Sequence, residues 1–85
     1  MHDFHEADKM VKLILKYADK NKLKKVTHIK IKLGKIIEHN EQINPENFKF
    51  NIKMLLKKTI AENAKIDIIR TRGGKVILSE IEGIK

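Results

Sequence analysis

Hydrophobic and polar positions alternate with two different periods along this chain, and the change of period marks its elements. Between His5 and Asn21, Ala7, Met10, Val11, Ile14, Tyr17 and Ala18 recur at three- and four-residue steps. That spacing lines up one apolar stripe on an α-helix. Asp3 is the expected N-cap, and Glu6, three residues on, completes the spacing of a capping box. Lys16, Lys20 and Lys22 sit where the negative end of the helix dipole favours cations. From Lys25 to Leu33 the period falls to two. Ile29, Ile31 and Leu33 alternate with Lys30 and Lys32, so a strand with one buried and one wet face is expected. Gly34 ends or bends it.

Ile36 and Ile37 lead into a polar stretch, Glu38-His39-Asn40-Glu41-Gln42, which reads as a loop. Asn44-Pro45 then opens a second helix, asparagine suiting the cap and proline the first helical position. Phe48, Ile52, Leu55 and Leu56 give it an apolar stripe, and it should stop near Thr59, before the turn Ala61-Glu62-Asn63. In the last third, Ile66 and Ile68 alternate in one strand and Val76 and Leu78 in the next, with Gly73-Gly74 supplying the positive φ values of a tight turn. These two strands read as a hairpin; a three-residue loop, Arg72-Gly73-Gly74, would put the four apolar residues on one face, and a two-residue loop would not. The order is α-β-α-β-β. The expected fold class is α+β, with two helices packed on one face of a three-stranded sheet. Lys30, Lys32 and Asp67, in the wet rows, are free to face a partner. The hairpin leaves an edge strand and the first strand can leave another, while their lysines oppose edge pairing, so a monomer or weak homodimer is expected.

Composition narrows the function classes. The 85 residues make one domain, 1–85, with a single modest core. No apolar run approaches the ~20 residues that span a bilayer, and the first residues are acids and histidines rather than a basic stretch and an apolar one. A cytoplasmic location is expected, with no membrane partner. Cysteine is absent, which removes disulfides, a thiol nucleophile and cysteine-based zinc sites. The net charge of +8 invites a nucleic-acid reading, but of 19 basic residues only Arg70 and Arg72 are arginines. Base recognition leans on arginine and stacking on exposed aromatics, whereas most of Phe4, Tyr17, Phe48 and Phe50 sit at core-like spacings. Abundant Lys, Ile and Asn fit an AT-rich genome or a hot habitat. A solvated, lysine-covered surface is the better reading, and nucleic acid the weaker one. No catalytic set stands out: there is no glycine-rich phosphate loop, and Ser79 is the only serine. The chain reads as a binding protein rather than an enzyme.

The remaining chemistry lies at the start. Met1-His2 offers one metal ion the terminal amine, the His2 amide and the His2 imidazole. Planar nitrogen donors suit Ni(II) or Cu(II) and are poor for tetrahedral Zn(II). Asp3 adds another amide and a carboxylate, and His5, one turn away, is a further ligand or an axial one. His39 is a more remote candidate, and His28, between strand residues Thr27 and Ile29, is expected at the surface or half-buried.

Four collinear segments carry a resemblance to a known family. Met1-His2-Asp3 looks like a Met-His-Glu start. Leu23 to Val26, continuing through Ile31-Lys32-Leu33-Gly34, is similar to a first strand with its closing glycine. Thr59 to Ile66 resembles the turn into a second strand, usually with glycine where Asn63 stands, and Gly74 to Glu82 a closing strand. Together they resemble the nickel-binding domain of the hydrogenase and urease nickel-incorporation metallochaperones called HypA. The resemblance implies two helices on a three-stranded sheet. It also implies transient Ni(II) binding through Met1, His2, Asp3 and His5, and a role in maturing a nickel enzyme. The implied partners are a hydrogenase large-subunit precursor and a maturation GTPase. The family carries a zinc domain with paired Cys-x-x-Cys motifs between its second and third strands. Here Arg72-Gly73-Gly74 stands in that place, so no zinc is expected, whether the chain is a naturally reduced relative or a truncation. Asp3 replaces a glutamate, Lys35 follows Gly34 where an acid is common, His5 lies outside the usual pattern, and the Ile37–Pro45 loop is longer. Two other readings stand beside nickel delivery: an adaptor that docks a maturation partner with a vestigial metal site, and a lysine-rich nucleic-acid module.

Overall fold

The structure is a computed structural model. It describes the backbone of residues 2–34, 37–38, 41–42 and 44–85, and the side chains of residues 5–34 and 44–85. Helix α1 runs His2–Lys20, strand β1 Lys25–Leu33, helix α2 Pro45–Leu55, strand β4 Lys65–Arg70 and strand β5 Val76–Ile84. Between β1 and α2, Ile37–Glu38 (β2) pairs antiparallel with Glu41–Gln42 (β3). The stretch expected as a plain loop is therefore a short two-stranded ribbon. Two-residue strands have no periodicity to read.

The expected α+β layer of two helices and three strands is present. Its core is one cluster: Ala7, Met10, Val11, Ile14 and Ala18 from α1, Val26, Ile29, Ile31 and Leu33 from β1, Phe48 and Ile52 from α2 with Leu56 at its cap, then Ala61, Ala64 and Ile66. Tyr17 departs from its stripe. It stays 39% exposed, lining a groove beside β5.

The ends of the helices follow local chemistry. α1 starts at His2, so Asp3 lies inside the helix and is not its cap, and the carboxylate of Glu6 reaches Lys9 Nζ at 3.7 Å. The capping box expected from Asp3 and Glu6 is not formed. At its other end α1 closes in a Schellman motif. Lys22 adopts φ 57, Leu23 N–H donates to the Ala18 carbonyl and Lys22 N–H to that of Asp19. Asn44 caps α2, its side-chain oxygen accepting from the amides of Glu46 at 2.8 Å and Asn47 at 3.3 Å. α2 ends at Leu55, short of Thr59, because the chain passes into tighter turns and Lys58 takes φ 65.

The strand order is β4-β1-β5, with β4 parallel and β5 antiparallel to β1. The last two strands are not a hairpin. β1 lies between them and they are the two edges; β1 itself is no edge. The connection from Thr71 to Lys75 instead crosses the end of β1. Thr71 N–H donates to the Leu33 carbonyl at 2.9 Å, and Gly34 N–H to the Lys75 carbonyl at 2.8 Å. Gly34 stops β1 because of this crossing: a Cβ there would overlap the Gly73 carbonyl. Neither Gly73 nor Gly74 has positive φ, since a five-residue crossover needs no tight hairpin turn. Ile66, Ile68, Val76 and Leu78 do share the inner face, but through their separate pairings with Ile29, Ile31, Leu33 and Ile31 of β1. A register shift between Lys30 and Ile31 bulges β5, which then turns Ile81 inward opposite Ile29.

Candidate metal centre

α1 positions the terminal motif. As the first helical residues, His2 and Asp3 carry amides that no carbonyl of the helix can accept from, because an α-helix leaves its first four N–H groups free. Those nitrogens can be turned over to a metal without breaking a helical hydrogen bond. Met1, and the side chains of His2 and Asp3, lie outside the described residues, as does His39. His5 is described and exposed, three residues and one helical turn beyond His2. Among the described residues no three His, Cys, Asp or Glu side chains converge on a point that could hold a metal.

The interior histidine is already engaged. On the open face of the sheet, His28 Nε2 donates to Asp67 Oδ2 at 2.6 Å, diagonally across the β1–β4 pairing, and neither side chain is fully buried. Asp67 is held below its ordinary carboxyl value of 3.8, first by this hydrogen bond and then by the charges of His28, Lys65 and Lys49, with desolvation opposing. Beside this pair, Lys30 Nζ lies 3.7 Å from Glu80 Oε2. Thus two of the three wet-row residues, Lys30 and Asp67, have intramolecular partners. Sequence reasoning missed the His28–Asp67 pair. The alternation put both on the wet face, but only the parallel register of β1 and β4 makes them neighbours.

The model of the family described as "Hydrogenase/urease nickel incorporation, metallochaperone, hypA" matches residues 1–75. The chain belongs to the HypA family. It is similar to the hydrogenase maturation factor HypA of Archaeoglobus fulgidus, at 32% identity over 80% of this chain and 58% of that protein. It is likewise similar to HypA of Thermococcus onnurineus, at 38% over 81% and 47%. The HypA-family chain thus matches about half the length of these relatives. Its fold is also that of the solution structure of the Ni metallochaperone HypA from Helicobacter pylori, with a TM-score of 0.80 over 96% of this chain and 97% of that one, at 12% identity. Among the described residues, no helix is long and apolar enough to cross a membrane.

Proposed function

We propose that this HypA-family chain is a nickel metallochaperone that binds Ni(II) at the start of α1 and hands it to the precursor of a nickel enzyme such as hydrogenase. A maturation GTPase would serve as its other partner, and the cytoplasm as its site of action. The single observation that carries this reading is the match of the family model from residue 1, with Met1-His2-Asp3 at the start of a helix whose first amides have no helical acceptor. It is a binding role, with no catalysis by this chain. On this reading the Thr71–Lys75 crossover takes the place of the zinc domain that the resemblance implies, and with no cysteine in the chain a cysteine-based zinc site is not expected.

Chelate geometry refines the donor set. The His2 amide nitrogen can form five-membered rings with the Met1 amine and with the Asp3 amide, and a six-membered ring with its own imidazole. In a square plane a donor has only two neighbours at right angles, and rings this small cannot span opposite corners. So the amine and the Asp3 amide exclude one another. The amine loses its proton near ~7.7–8.0, far more easily than a second amide. The favoured set is then the Met1 amine, the His2 amide and the His2 imidazole. A fourth donor would come from outside these two residues, and His5, one turn on, is the nearest further histidine along the chain. Asp3, Glu6 and Asp8, early in the helix, offset the repulsion between its positive end and the cation.

Nickel titration of the untagged protein, followed by absorption of the planar form, tests this. His2→Ala should abolish binding, and an extension before Met1 should do the same by blocking the amine. His5→Ala should weaken binding modestly. Affinity should rise with pH through ~6.5 and ~7.7–8.0. Cu(II) should bind at least as tightly as Ni(II). If His2→Ala binds nickel like the parent, the terminal site is wrong. If only the extended protein retains binding, the donors are the two amides and the imidazole instead.

A further inference from the structure

The nine residues of β5, Val76–Ile84, pair on one side only. Among the described residues nothing hydrogen-bonds their outer edge, so a full row of backbone donors and acceptors is open. Along that edge lies a groove of about 430 Å³ between β5 and α1, lined by Leu13 and Tyr17 on the helix and by the run from Val76 to Ile81 on the strand, so that the apolar Val76, Leu78 and Ile81 share it with Glu80 at its rim. Tyr17 is exposed here despite its place in the helical stripe. Toward the open face of the same strand stand Glu80 and Glu82, both exposed; Glu80 already lies 3.7 Å from Lys30 Nζ, so the acid a partner's cation meets first is Glu82.

We propose that β5 is a docking edge for an extended segment of a partner protein in which apolar and basic residues alternate. The backbone calls for a strand, because only a strand satisfies such an edge along its length. Side chains of an added strand alternate between faces. Its inward ones drop into the groove against Leu13 and Tyr17. Its outward ones lie about 5 Å from Glu80 and Glu82, where lysine or arginine is favoured. A second copy of this chain is the poorer occupant. Antiparallel pairing of β5 with itself sets these glutamates beside their own copies, and like charges across a strand pair repel. The edge is remote from the terminal motif, Tyr17 being about 22 Å along α1 from His2, so the proposal stands independently of nickel.

The probe is a blocked ten-residue peptide of alternating valine and lysine, titrated into isotope-labelled protein by NMR and compared with a valine–glutamate peptide. The lysine peptide should slow amide exchange along Val76–Ile84 and shift Leu13 and Tyr17, while α2 amides stay unchanged. It should bind about tenfold more tightly than the glutamate peptide, and the order should reverse in the Glu80→Lys, Glu82→Lys double variant. Should that variant not fold, the two peptides on the parent protein still decide. No saturable binding up to about 1 mM, equal binding of both peptides, or binding that leaves β5 exchange unchanged would each overturn the proposal. Protection of β5 that grows with protein concentration alone would assign the edge to a second copy instead.

Discussion

The two parts of α1 do different work. From Ala7 to Ala18 the helix is anchored: five of its side chains are buried in the core, and its end is closed by a Schellman motif. Nearer its start the described side chains are wetter: His5 is exposed, and Glu6 and Asp8 lie against Lys9 and Lys12 of the same helix. The described core contacts lie in one part, and the candidate chemistry in the other. A metal carrier gains from that separation, since ligands can be bound and released without disturbing the core.

The sharpest challenge to this division is Ile14→Ala. Ile14 is fully buried, and its truncation should cost about 2–5 kcal/mol, a large share of a small domain's stability. Urea unfolding would show it, and nickel affinity measured below the transition should be unchanged. Altered affinity in the folded variant would mean that core and first turn are coupled. Metal removal probes the converse. A chelator should lower the melting temperature by only a few degrees, as for ligand binding to a folded protein, and His2→Ala should erase that difference. Loss of helical circular dichroism on chelation would show that the metal is structural.

Smaller effects map the rest of the molecule. Because the folded carboxyl of Asp67 is depressed, its stabilisation is present above the ordinary value of 3.8 and is lost as pH falls through the lowered one. Asp67→Asn should therefore be slightly less stable than the parent at pH 6 and lose that deficit in acid. A deficit that persists at low pH would show that the charge is not its source. The gentlest change is Lys22→Gly. Glycine accepts the left-handed conformation that lysine holds at φ 57, so the urea midpoint should rise, by about 0.5–1 kcal/mol in stability. A fall would mean that the lysine stem contributes packing at the helix end.

Read from residues alone, the chain already disclosed both helices, the whole of β1, the Asn44-Pro45 cap and most inward strand residues, though not Val26 or Ile81, which register shifts turn inward. Each depends on neighbours a few positions apart, so local spacing carries the information. The proposed terminal motif could be named for the same reason: Met1, His2 and Asp3 are consecutive. Tertiary structure decided what depends on distant partners. It placed β1 between β4 and β5, where Val26, Ile29, Ile31 and Leu33 are all fully buried, more than on either neighbour. It gave Gly34 its purpose under the crossover, joined His28 to Asp67 by register, left Tyr17 exposed at a sheet edge, and made β5 that edge. No periodicity along the chain encodes which strand lies beside which; that follows only when the apolar faces close on one another.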